Sequence, residues 1–169
     1  IGPFAGLADR SAESIRALAA LVHADDDLSL LEPAPPAPPA GVRLKTSAAG
    51  VQMVLHTLTP GPEIEAVELG DADAADMLAL ATLTRPGPFR ARTHTLGRFV
   101  GVRAHGVLIA MAGERLQTDE FVEVSGICTH PDHRGKGLAA ALTRVVAARI
   151  ASEGRTPFLH SYANNTAAI

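Results

Sequence analysis

Glu123-Val-Ser-Gly-Ile-Cys-Thr-His-Pro-Asp-His-Arg-Gly-Lys-Gly-Leu-Ala-Ala140 is the stretch on which the reading of this chain turns. Phe121 to Thr129 reads as a strand and His130 to Gly137 as a turn. Leu138 to Ser152 reads as a helix with Leu138, Leu142, Val145, Val146 and Ile150 on one side, closed by Gly154. A helix that opens directly from such a turn leaves its first N–H groups without intrahelical partners, aimed back at the turn. That is a place for an anion. Gly135 and Gly137 let the backbone approach it with no Cβ in the way, and Arg134 and Lys136 add positive charge. Pyrophosphate fits this description.

Two familiar phosphate loops match poorly. A Walker loop needs Gly five residues before Gly135 and Ser or Thr after Lys136, where this chain has His130 and Gly137. A dinucleotide fingerprint is met formally by Gly135-x-Gly137-x-x-Ala140. However, His130 to Arg134 separate those glycines from the strand, and no Asp or Glu follows Pro157 to hold a ribose.

Arg134-Gly-Lys-Gly137-Leu-Ala139 resembles the Arg/Gln-x-x-Gly-x-Gly/Ala signature of the GCN5-related N-acetyltransferase (GNAT) family. The flanks are similar too. Strand, Pro-containing turn, signature and amphipathic helix look like that family's acyl-CoA motif, and Leu159 to Ile169 looks like its next strand and the start of its last helix. The run from Gly126 to Ala139 and the extended front half resemble the FR47-like branch. The resemblance covers about residues 63 to 169.

It implies acetyl-CoA as acyl donor and a sheet splayed between the strand at Phe121–Thr129 and the strand at Pro157–Tyr162. Ile127 and Thr129, flanking Cys128 on the cofactor strand, would pair with the pantetheine amides. The N–H groups of Arg134, Gly135, Lys136, Gly137, Leu138, Ala139 and Ala140 would hold the pyrophosphate. Asn165, read through Ala168 and Ile169 as an Asn-x-x-Ala-Ile pattern, would touch the cofactor arm. Glu123 lies eleven residues before Arg134, where some members carry a general base. It is equally readable as a polar strand residue. The family's acid is a Tyr expected after Ile169; Tyr162 is out of register with it. The family's terminal strand pair would also follow Ile169, and one way to complete the sheet is a homodimer.

Outward from the motif, Ile64 to Leu69 reads as a strand, Asp71 to Leu83 as a helix, and Arg85-Pro-Gly-Pro88 as a turn. Phe99 to Arg103 and Val107 to Ala112 form a hairpin about Ala104-His-Gly106. The order is that of an α/β fold with a mixed, splayed central sheet flanked by helices. Ahead of it, residues 1–62 read as an N-terminal extension. It has a helix over Ala12–His23, a Pro-rich linker over 32–41, and β-compatible pieces at Val42–Lys45 and Val51–Leu58. The acetyltransferase domain is expected over 63–169, its C-terminal end incomplete.

The 169 residues amount to about one domain, 47% hydrophobic and 20% charged, with a formal charge of −3. That balance excludes the global basic surface of a non-specific nucleic-acid binder. No apolar run approaches the roughly 18 residues of a membrane span. A single Cys128 forms no intrachain disulfide and suits a cytoplasmic setting. Its apolar neighbours suit an inert core thiol better than a nucleophile. His130, His133 and His160 lack carboxylate or Cys partners at ligand spacing, so no metal is expected.

The enzyme reading is an acyl-CoA-dependent N-acetyltransferase acting on a small-molecule or peptide amine by direct attack in a ternary complex. A non-catalytic module of the same fold that senses acyl-CoA is the alternative, and a nicotinamide or flavin dinucleotide protein a third. The acceptor would be selected by loops such as Thr84–His94. The basic run Arg85–Arg92 within them reads either as lining for that pocket or CoA's 3′-phosphate, or as a solvated loop.

Overall fold

The computed structural model describes residues 4–23, 27–166 and 168–169. The described residues divide into two compact units, one within residues 4–49 and a larger one from Gly50 to Ile169.

The smaller unit pairs β1 (Phe4–Ala5) in parallel with β2 (Ser29–Leu30) around α1 (Ala12–Ala20). Ser11 caps α1: its hydroxyl accepts from the Ser14 N–H at 3.1 Å. The exposed Asp9 carboxyl is held down to about 2 by the Ser11 hydroxyl first, then by the Ser14 hydroxyl, which donates to it at 2.7 Å, and the Ser11 N–H, which donates at 2.9 Å. The Pro-rich tract is without regular structure, as its missing donors require. Val42–Lys45 forms no strand either: Val42 instead donates back to the Pro39 carbonyl in a turn.

In the larger unit, β3 (Gly50–Val54) is followed by β4 (Val67–Leu69), α2 (Ala74–Thr84), β5 (Phe99–Ala104) and β6 (Val107–Gln117). Then come β7 (Phe121–Thr129), α3 (Leu138–Ser152) and β8 (Thr156–Tyr162). The strands form one sheet in the order β3-β8-β7-β6-β5-β4, antiparallel except for the parallel pair β7–β8. The turn between β5 and β6 places His105 and Gly106 at φ 50° and 83°, the doubly left-handed turn whose twist matches a tight hairpin. α2 ends at Arg85 in the left-handed region, directly ahead of Pro86, which cannot continue a helix. β3 lies within the segment read from sequence as an extension. It nevertheless joins the sheet, because β8 offers it a free edge from Phe158 to Tyr162.

Each face of the sheet buries one helix. Val100, Ala110, Ala112, Val122 and Val124 pack under Leu142, Val146 and Ile150 of α3. Phe99, Met111 and Cys128 pack under Met77, Leu80 and Ala81 of α2. A buried carboxylate on the α3 side, Glu114, is paired by Arg149 at 3.0 Å and Arg98 at 3.1 Å, so its charge is compensated where water cannot reach it.

Candidate active site

The sheet opens at one point. β7 and β8 pair only from Phe121 to Glu123 against Thr156 to Phe158. Beyond Glu123, β7 carries a bulge: Ser125 opposes Gly113 and Cys128 opposes Met111, so Gly126 and Ile127 together face a single residue of β6. Gly126 adopts φ 64°, which suits glycine, and a Cβ there would stand 2.9 Å from the Phe99 ring. A bulge bends its strand. Here the bend carries β7 away from β8, while β8 stays paired to β3.

The divergence leaves one edge of β7 unpaired. The His130 N–H donates to the Ile109 carbonyl at 2.7 Å across β6, and Cys128 pairs with Met111, so by antiparallel alternation Ile127 and Thr129 turn their backbone groups to the open edge. The Thr129 Oγ1 is buried and has no hydrogen-bond partner among the described residues. Arg134 Nε reaches the Thr129 carbonyl at 3.4 Å.

Past Thr129, a short 3-10 turn (Pro131–His133) leads to Gly135 and Gly137, both at φ 74°. Gly137 caps α3, and the helix ladder begins with the Ala141 N–H donating to the Gly137 carbonyl at 3.0 Å. The N–H groups of Leu138, Ala139 and Ala140 therefore have no acceptor within the helix. Apart from the adjoining residues, no atom of the described residues lies within 4 Å of where a Cβ would stand on Gly135 or Gly137. These glycines serve backbone conformation and leave open space above the turn, beside the unpaired strand edge.

Glu123 sits where the pairing ends. It is 1% exposed and ion-paired on both oxygens: Arg115 Nε donates to Oε2 at 2.8 Å, Arg115 Nη2 to Oε1 at 2.7 Å, and His160 Nδ1 lies 2.8 Å from Oε1. Burial pushes its carboxyl up, but Arg115 and His160 outweigh that and hold it below the usual carboxylate range. The other ring nitrogen of His160 lies 3.0 Å from Gln52 Oε1 of β3. Arg115 also lines a narrow cleft with Ser125, Gly126 and the turn residues Pro86, Pro88 and Phe89. The basic run is thus divided: its Pro-Phe portion faces this cleft, whereas Arg85, Arg90 and Arg92 are exposed.

Sequence reasoning placed Glu123 on this strand but missed Arg115, Gln52 and the pairing role of His160. The β6–β7 hairpin carried a signal for Arg115. Glu114 pairs with Val124 and Gly113 with Ser125, so Arg115 and Glu123, opposite charges equally far from Asp119, meet across the strands.

Cys128 turns its side chain into the α2 core, and burial pushes its thiol up to about 11, with hydrogen bonds to Thr84 and the Met111 backbone opposing less strongly. Iodoacetamide at pH 7.5 should therefore alkylate the native chain about 100-fold more slowly than the urea-unfolded one. Equal rates, followed by mass spectrometry, would contradict this burial. Asn165 is exposed at the start of a turn in which its carbonyl accepts from Ala168 and Ile169. His130 and His133 stack edge-on at 5.8 Å, and among the described residues no group of three or more His, Cys, Asp or Glu could hold a metal. No helix of the described residues is long and apolar enough to cross a membrane.

Residues 99–169 match the family described as FR47-like protein. A crystal structure of an assigned acetyltransferase of the GNAT family from Novosphingobium aromaticivorans is 44% identical. It superposes with a TM-score of 0.87 over 99% of this chain and 75% of its own. More distant structures share the fold. An acetyltransferase from the GNAT family of Colwellia psychrerythraea is 17% identical, with a TM-score of 0.61 over 72% of this chain and 49% of its own. The ribosomal-protein-S18-alanine N-acetyltransferase of Escherichia coli is 20% identical, with a TM-score of 0.54 over 62% of this chain and 70% of its own. None of the curated proteins is similar to this chain.

Proposed function

Because the chain belongs to the GNAT family of acetyltransferases, we propose that it moves an acetyl group from acetyl-CoA to a primary amine by direct attack while both substrates are bound. The observation that carries this reading is the open edge of β7 leading straight into an anion-ready helix start. Ile127 and Thr129, on either side of Cys128, offer backbone groups to the pantetheine amides. The turn from Arg134 through Gly135 and Lys136 to Gly137, with the N–H groups of Leu138, Ala139 and Ala140, offers donors to the pyrophosphate. Asn165 stands beyond β8 as a further contact for the cofactor arm. The single buried Cys128 suits the reducing cytoplasm.

The cleft under Phe89 and Arg115 reaches the same point of the sheet from the α2 side, so an amine seated there meets the thioester at the splay. Holding two reactants in one geometry supplies much of the rate in such a transfer. What remains is a proton: an alkylammonium has no lone pair until a base accepts one from it. Glu123, ionised and buried at the apex, supplies the negative charge that stabilises this proton once it has moved.

The test is release of free thiol from acetyl-CoA in the presence of a panel of amines: free amino acids, spermidine, kanamycin, a peptide with a free N-terminal Ala and one with an internal Lys. Amine-dependent thiol release with acetylated product by mass spectrometry is the expected result. Acetyl-CoA bound but unconsumed with every amine would contradict it and leave an acyl-CoA-sensing module.

A further inference from the structure

We propose that the acceptor is an amine that also carries a carboxylate, of the amino-acid class, and that Arg85 and Arg92 at the rim of the cleft select it through that carboxylate. This rests on the acetyltransferase reading above and names its substrate class.

The cleft sorts amines by charge. Its lining holds one charged residue, Arg115, and no Asp or Glu. A polyamine or an aminoglycoside, which brings further positive charges beside the reacting amine, would meet no carboxylate there. Glu123 does not fill that need, because it is 1% exposed and both of its oxygens already accept from Arg115.

The rim adds charge of the same sign. Between Asp76 and Glu114 the sequence has no Asp or Glu, but it has Arg85, Arg90, Arg92, Arg98 and Arg103. The last two are compensated from outside that stretch: Arg98 by Glu114 at 3.1 Å and Glu153 at 2.6 Å, and Arg103 by Asp73 at 2.6 Å and Asp76 at 2.8 Å. Arg85 and Arg92 are exposed and have no carboxylate partner among the described residues. Arg85 is bonded to Pro86 and Arg92 to Thr93, both of them lining residues, so each Cα stands ~3.8 Å from one in the wall.

The backbone that carries the two arginines is fixed. Arg85 closes α2, its N–H donating to the Ala81 carbonyl at 2.8 Å, and Pro86 and Pro88 have their φ set by the ring. The Arg90 N–H donates to Thr93 Oγ1 at 2.8 Å, and the Thr93 N–H returns to the Arg90 carbonyl at 2.9 Å. Thr93 is 4% exposed, so this turn is anchored in the core. Little chain order is then lost when a ligand meets the rim.

The chemistry of the three surfaces matches an amino acid with an apolar side chain. Its amine enters toward Ser125 and Gly126, where the strands part. Its carboxylate stays at the rim, where the planar guanidinium fork can donate two parallel N–H···O bonds. Its side chain lies against Pro86, Pro88 and Phe89, whose ring meets Phe99 edge-on at 5.8 Å.

The experiment measures kcat/KM for acetyl-CoA-dependent thiol release with L-phenylalanine, L-phenylalaninamide and spermidine, for the native chain and for the double variant Arg85→Glu/Arg92→Glu. The amide keeps the amine and the ring, so the acid-to-amide ratio isolates the carboxylate, and the amines' own reactivities cancel between native chain and variant. The native chain should favour phenylalanine over spermidine and over its amide by about tenfold. In the double variant the acid-to-amide ratio should fall about tenfold, chiefly through KM, the sum of two exposed charge contacts. Raising the salt to about 0.5 M should shrink the native ratio several-fold, a reading that needs no variant. A ratio unmoved by the double variant or by salt, or a native preference for spermidine, would overturn the carboxylate acceptor and leave Arg85 and Arg92 as a solvated loop, with the acetyltransferase reading intact. Acetyl-CoA bound but unconsumed with these amines and with the wider panel would overturn both.

Discussion

Gly137→Glu should weaken acetyl-CoA binding on the order of 100-fold while leaving the fold in place. The substitution sets a carboxylate at the mouth of the turn where Leu138, Ala139 and Ala140 present free N–H groups. Two like charges about 4 Å apart near a protein surface repel by roughly 1 to 4 kcal/mol. A factor of ten is worth about 1.4 kcal/mol, so the middle of that range gives the expected loss. Nothing within 4 Å of the Gly137 Cβ position obstructs the new side chain, so packing is not the cause of the effect. The backbone is the second contribution, since φ 74° is left-handed and disfavours any side chain. Gly137→Ala separates the two: it should cost about 1 kcal/mol of stability yet leave binding within a few-fold. Calorimetry and thermal melts of both variants measure the difference, and equal loss of binding in the two would refute the anion cradle.

Arg115→Leu should cost about 3–5 kcal/mol of folding stability at pH 7.5, because it strands the Glu123 carboxylate in a dry site with only His160 for company. The sign of the pH dependence is fixed by the same pair. In the native chain the Glu123 carboxyl is held below its unfolded value, so its contribution is present above the usual carboxylate range and is lost as pH falls through the lowered one. In the variant burial acts without the guanidinium, and the carboxyl is pushed up. The variant should therefore recover part of its deficit between pH 7.5 and pH 5, as the stranded group picks up a proton. Urea unfolding at the two pH values reads this directly; a deficit that stays constant or widens on acidification would contradict the ion-pair account. Glu123→Gln combined with Arg115→Leu should be milder than Arg115→Leu alone, since no buried charge is left behind.

The parts of this molecule that were legible in its sequence are those whose causes are local. α3 announces itself by the spacing of Leu142, Val146 and Ile150, and its start by two glycines that adopt φ 74°. The hairpin at His105-Gly106 and the stop at Arg85-Pro86 are likewise written in a few adjacent residues. Segment boundaries were less clear: the helix expected to reach His23 ends at Ala20, and the strand expected from Ile64 begins at Val67. What lay hidden depends on partners far along the chain. β3 has no periodicity to set it apart from Val42–Lys45, yet it pairs with β8 because that strand has an edge to offer, and so Gln52 arrives beside His160, 108 residues away. A lone histidine in a strand says nothing of such a neighbour. Glu123 was visible as a charge on an apolar strand, but its two-armed clamp by Arg115 follows only from the β6–β7 register.

The most direct test of the account is residue-resolved amide hydrogen exchange of the chain, alone and with acetyl-CoA, with NAD as the control. The open edge and the helix start predict that acetyl-CoA slows exchange at Ile127 and Thr129 and across Gly135–Ala140, that the Cys128 amide, already turned to β6, changes little, and that NAD changes none of them. Protection confined to other segments, or the same pattern with NAD, would contradict the placement of the acyl donor in the splay between β7 and β8.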